Sequence, residues 1–173
     1  MAWPSNRSLD GGLDQIPVPG QPGALWLCGK HLVGGDPHAA LARVGKPAVI
    51  VCLNEVHELI DRYPGYVRWL TDEHGRQALW HPIPDLHAPE LDDAVALAAE
   101  LAERVGRGEH VIVHCGAGIG RAGTMAAATL MTLGVPRVEA LATVATHRPM
   151  AGPEAGPQHD LLHALDTRIH GFS

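Results

Sequence analysis

Short, wholly apolar runs alternate along this chain with longer stretches in which apolar residues return every third or fourth position. Residues 48–53 (Ala-Val-Ile-Val-Cys-Leu) and 111–113 are apolar throughout, as strands buried on both faces are. Residues 77–82 read as a further strand, and residues 24–28 and 31–33 as a short hairpin around Gly29-Lys30. The clearest helix is 89–105: Leu91, Ala94, Val95, Ala98, Leu101, Ala102 and Val105 fall at helical spacing. Glu90, Asp92 and Asp93 crowd its start and Arg104 and Arg107 its end, which suits the helix macrodipole. Asp36 as N-cap and Pro37 at the first helical position open a helix to Val44. Short helices are predicted over 55–61 and 65–73, broken by Pro64-Gly65. A helix over 121–133 stops at Gly134, Val135-Pro136 restarts one that Pro149 ends, and 157–170 forms the last. Strands alternating with helices imply an α/β fold, a largely parallel central sheet flanked by helices. Pro4, Pro17, Pro19 and Pro22 mark residues 1–23 as an irregular arm, leaving 24–173 as a single domain.

Composition narrows the function classes. The 173 residues suffice for one domain with a sizeable core. A formal charge of −6 argues against a nucleic-acid partner. No apolar run reaches membrane-span length, and residues 1–10 lack the apolar core of a signal peptide. Cys28, Cys52 and Cys115 are odd in number and irregularly spaced, which suits a reducing cytoplasm better than a disulfide framework.

The chemistry concentrates in His114-Cys115-Gly116-Ala117-Gly118-Ile119-Gly120-Arg121, between a strand and a helix. Backbone N–H groups of such a loop, with the helix N-terminus, gather round one point where they bind a tetrahedral oxyanion and stabilise a thiolate. Arg121 can hold two oxygens of the same anion, and the glycines permit positive φ and close approach. These pieces converge on a cysteinyl-phosphate intermediate. A proton donor for the leaving oxygen is still needed. Asp85, on the proline-rich stretch 82–89, is favoured over Asp92 and Asp93, because loops carry function more often than helix starts do.

At these residues the chain resembles the cysteine-dependent protein tyrosine phosphatases, close to the small atypical dual-specificity enzymes and their prokaryotic relatives. Their signature, His-Cys followed by five residues and Arg, is met by His114, Cys115 and Arg121. Asp85 stands 30 residues before Cys115, where the family keeps its general acid. The segment 53–59, with Asn54, is similar to one following a core strand in these proteins, as are Arg148-Pro149 and Gln158 to their C-terminal region. The resemblance implies a protein tyrosine phosphatase-like fold and hydrolysis of phosphotyrosine, with phosphoserine and phosphothreonine as further candidates, in a phosphorylated protein or peptide. It implies phosphate binding by residues 116–121, catalysis by Cys115, Arg121 and Asp85, and loop support by His114, without cofactor or metal. Asn54 and Glu55 read equally as loop support and as strand-end and helix-cap residues. Two positions depart from the pattern. Ala122 replaces the usual Ser or Thr, so that either phosphoenzyme hydrolysis is slow or Thr124 substitutes. The stretch 152–157, Gly-Pro-Glu-Ala-Gly-Pro, replaces an Ile-Glu-Thr-like one, leaving a water-positioning role for Gln158 open.

Competing readings are weaker. Residues 118–123 also fit the dinucleotide fingerprint, but the following segment 138–142 is helical where a strand ending in an acid is required. His159 and His163 share a helix face without further ligands, which reads as a solvated face. Trp26, Trp69 and Trp80 read as packing anchors, Cys28 and Cys52 as core residues, with Cys52 also a candidate partner for an oxidised Cys115. A phosphate-binding pseudophosphatase recognising phosphoproteins, and a thiolate enzyme of the arsenate-reductase or sulfurtransferase type, are the rival functions.

Overall fold

The structure, a computed structural model, describes residues 7–171. Five strands form one sheet in the order β1-β2-β5-β3-β4: β1 (Asp14–Ile16), β2 (Ala24–Gly29), β3 (Ala48–Cys52), β4 (Ala78–Trp80) and β5 (His110–Cys115). All neighbours pair in parallel except β1 with β2. The apolar runs behave as parallel strands should, because alternate residues bury on opposite faces. Val49, Val51, Val111 and Val113 join the larger core, while Ile50, Cys52 and Ile112 join the smaller.

The larger core is covered by α4 (Leu91–Gly106), α5 (Gly120–Thr132), α6 (Arg137–His147) and α7 (Gly156–His170). The smaller is covered by α1 (Lys30–Val33), α2 (Pro37–Val44) and α3 (Pro64–Asp72). Helix α4 buries Ala94, Ala98, Leu101, Ala102 and Val105 of the expected stripe and adds Leu97, while Leu91 and Val95 are partly buried against the same core. In α2, Asp36 caps the helix by accepting from the Ala39 amide. Helix α5 is buried from Gly120 to Met131, so its neighbours must approach closely. At Gly123 a Cβ would lie 2.3 Å from the Gly152 nitrogen, which only glycine avoids.

Three expectations are corrected. Residues 24–33 form no hairpin: β2 runs through Gly29 between β1 and β5, and the chain then turns helically as α1. Three residues, 31–33, are too few for periodicity to separate strand from helix turn. The arm contributes edge strand β1, whose Ile16 is fully buried; its first six residues lie outside the described ones. The helix predicted over 55–61 shrinks to a 3-10 turn, Val56–Glu58, closed by a capping box between Glu55 and Glu58.

Candidate active site

Strand β5 delivers Cys115 to the C-terminal edge of the sheet, where the chain loops over residues 116–119 before entering α5. The loop's carbonyls are held from behind. The Lys30 amide donates to the Gly116 oxygen at 3.0 Å, while Arg148 donates through Nη2 to Ala117 (2.7 Å) and through Nε to Gly118 (2.8 Å). Gly118 has φ +72°, and a Cβ there would lie 2.2 Å from the Cys28 carbonyl oxygen. Among the described residues, the amides of Gly116 to Gly120 have no hydrogen-bond acceptor. A loop with tied carbonyls and free amides is an anion cradle.

Arg121, the second residue of α5, is buried, and its guanidinium is aimed by a fork-to-fork pair with Glu58, both contacts at 2.8 Å. Nη1 also donates to the Ile83 carbonyl at 2.8 Å. Burial opposes ionisation of Glu58, but hydrogen bonds from Arg121, the Glu55 amide and Asn54 outweigh it and hold the carboxyl at about 2. Asn54 donates through Nδ2 to Glu58 at 2.9 Å, and its carbonyl accepts from the Trp80 indole. Asn54 thus reaches the site through Glu58. Asp85 approaches from the opposite loop, with Oδ1 3.4 Å from Arg121 Nη2 and a side chain 71% exposed. Its carboxylate also accepts from the Leu86 amide, and Leu86 has φ +62°, backbone strain of the kind that collects at functional loops. Asp92 pairs with Arg168, and Asp93 lines a separate groove with Ala88 and Leu97.

His114 lies wholly buried behind the thiol. Burial and the Arg121 charge push its pKa down to about 4 against the opposing Cys115 carbonyl, so near neutral pH the ring is uncharged. Nδ1 faces the Cys115 carbonyl at 3.4 Å and must donate to it; Nε2 then accepts from the Tyr66 hydroxyl at 2.6 Å. Gln158 is committed at both ends, donating to the His87 carbonyl and accepting from the Glu154 amide. It braces the Asp85 loop against the α6–α7 loop. Thr124 donates its hydroxyl to the Gly120 carbonyl at 2.7 Å and does not line the cavity, and Ala122 is buried in the larger core. Cys52 pairs in register with His114 and belongs to the core on the face away from Cys115, so a disulfide between the two thiols is not geometrically available. Burial also pushes its thiol up to about 12.

A cavity of about 620 Å³ opens over Cys115 and is lined by Gly116, Ala117, Ile119, Gly120, Arg121, Glu58 and Asp85. Of the residues expected to contact phosphate, Gly118 does not line the cavity. Residues 7–11, Gly29, Lys30, His31 and Glu154 complete the wall. Sequence reasoning missed Glu58, Arg148, Tyr66 and Lys30. The pair Glu55-x-x-Glu58 was a capping signal for the first, and Arg148-Pro149 was noticed without a role. Among the described residues, no three His, Cys, Asp or Glu side chains converge to hold a metal.

The thiol, the cradle and the fork of Arg121 meet at one point, as the phosphatase signature requires. Residues 26–166 match the family model described as PTP-SAK: Swiss Army Knife protein, DSP-PTPase phosphatase domain. The chain belongs to this family. It is a small, atypical dual-specificity phosphatase-like protein of the protein tyrosine phosphatase superfamily, and its α/β sheet is that superfamily's fold. No curated protein matches the chain. Among solved structures it is similar to Tk-PTP in the active form, with 28% identity, TM-score 0.67, and 90% and 97% of the two chains covered. Kinase associated phosphatase shares the fold at 19% identity and TM-score 0.74, covering 94% and 97%. PTPMT1 in complex with PI(5)P shares it at 18% and 0.68, covering 91% and 96%. Among the described residues, no helix is long and apolar enough to cross a membrane.

Proposed function

We propose that this phosphatase domain hydrolyses phosphotyrosine, and with it phosphoserine and phosphothreonine, in proteins through a cysteinyl-phosphate intermediate. The observation that carries the reading is the convergence of Cys115, the acceptor-free loop amides and the Glu58-aimed Arg121 on one cavity, with Asp85 at its rim. In the first step Cys115 Sγ attacks phosphorus in line and the bond from phosphorus to the ester oxygen breaks. Asp85 delivers its proton to that oxygen. The loop amides and Arg121 bear the charge of the transferring phosphoryl group. In the second step Asp85, now a carboxylate, takes a proton from water as the water oxygen attacks phosphorus. The S–P bond breaks, and phosphate leaves with the thiolate restored.

Turnover of an aryl phosphate by wild type, Cys115→Ser and Asp85→Asn, with a chelator present, tests this reading. Wild type should turn over with the chelator, and Cys115→Ser should lose activity at least about a thousandfold. Asp85→Asn should lose more on poor leaving groups than on good ones. Unchanged turnover in Cys115→Ser would falsify the mechanism.

A further inference from the structure

Most charged groups around the cavity are held by a partner. Arg121 is locked to Glu58, and Arg7 shares the Asp14 carboxylate with Arg148. The Asp10 carboxylate accepts from the Ser8 hydroxyl and the Gly12 amide of its own turn. Lys30 differs. It lines the cavity beside Gly116, and among the described residues its ammonium forms no ion pair. Its Nζ donates to the main-chain carbonyl of Glu58 at 3.0 Å. A carbonyl uses one of three ammonium protons and cancels none of the charge. The backbone of Lys30 cannot drift from the loop, because its amide is bonded to the Gly116 oxygen.

We propose that Lys30 forms a second-anion subsite beside the Cys115 cavity, selecting phosphopeptides that carry an acidic residue next to the phosphorylated one. The proposal rests on the phosphoprotein reading above and deepens it. The scissile phosphate occupies the loop amides and Arg121, whose charge Glu58 already offsets. Asp10, Asp85 and Glu154 also face the cavity and repel a further negative group, while Lys30, and Arg7 on the N-terminal segment, attract it; of these two, Lys30 is the one tied directly to the Cys115 loop. His31, beside it, is bonded to the Tyr63 hydroxyl at 2.6 Å. Burial and the charges of Arg62 and Lys30 keep its pKa below the usual value, so it contributes a hydrogen-bonding ring and no standing charge. An ammonium matches a compact anion such as a carboxylate and reads no fork geometry. Charge pairs of this kind act mainly through selectivity and capture.

The test is calorimetric binding of phosphotyrosine peptides to Cys115→Ser, with either Asp or Ala flanking the phosphotyrosine, alone and with Lys30→Met or Lys30→Arg added. The Asp peptide should bind about tenfold tighter than the Ala peptide. Lys30→Met should abolish the preference and Lys30→Arg should keep it. The preference should also shrink as salt rises from about 0.05 M to about 0.5 M. A preference that survives Lys30→Met, no preference at all, or no binding of either peptide overturns the subsite. Pyrophosphate against orthophosphate is the companion arm. A Lys30-dependent gain there without one for the peptides overturns the acidic-peptide form and assigns Lys30 to a second phosphate. Aryl phosphate turnover by wild type separates the two readings. Turnover without a peptide preference sinks the subsite alone, and preference without turnover sinks hydrolysis alone.

Discussion

Position 122 carries a methyl group where the superfamily usually carries a hydroxyl, and that methyl is buried in the same apolar cluster as Cys115. The nearest substitute, Thr124, spends its proton on the Gly120 carbonyl, a back-bond common for Thr within helices. The departing thiolate therefore lacks a hydroxyl partner, and hydrolysis of the intermediate is predicted to limit turnover. Stopped-flow assays of an aryl phosphate should show a burst of phenol followed by a slow steady state. Ala122→Ser should raise the steady-state rate about tenfold and erase the burst. At this scale the sequence was legible where function is contiguous: Cys115, the glycines and Arg121 lie within seven positions. Glu58 was not, because a carboxylate 63 residues from its arginine declares its role only after β3 and β5 are paired.

The loop is held open as an element by partners from elsewhere in the fold. Arg148, at the end of α6, is completely buried and joins the Ala117 and Gly118 carbonyls to Asp14 of β1 at 2.7 Å. Asp14 keeps Arg7 as a partner, so losing Arg148 strands the two loop carbonyls instead, at about 1–3 kcal/mol for each buried acceptor left unpaired. Arg148→Met is predicted to destabilise by that order in urea unfolding and to weaken binding of phosphate-like anions. The long helices α4 and α5 were readable because their apolar spacing is repeated over several turns. Strand β1 was hidden: three residues among prolines carry too short a pattern, and their place is set by pairing with β2. Lys30 was masked by the same error, since a hairpin turn would have pointed it at solvent.

For the whole molecule, burying the site machinery makes stability depend on pH. The native state holds His114 at about 4 from an ordinary 6.5. As pH falls through that window the unfolded chain binds a proton that the native state excludes, so stability drops on acidification, by at most about 1.4 kcal/mol per pH unit. Glu58 acts lower. Its stabilisation is full above its ordinary 4.5 and is lost as pH falls towards about 2. Urea unfolding of wild type and His114→Gln at about pH 7, 5.5 and 4.5 should give a flatter profile for the variant. The parallel sheet and its two covered faces followed from the apolar runs, whereas the side of the sheet each cysteine takes required the register.

In the proposed cycle Cys115 carries the phosphoryl group between the two steps. Acid quenching during aryl phosphate turnover, followed by mass mapping of the peptides, tests it directly. Phosphate is expected on the Cys115 peptide of wild type, accumulating because Ala122 leaves hydrolysis slow, and none in Cys115→Ser. An unmodified Cys115 peptide throughout the burst, or phosphate on another residue, would contradict it.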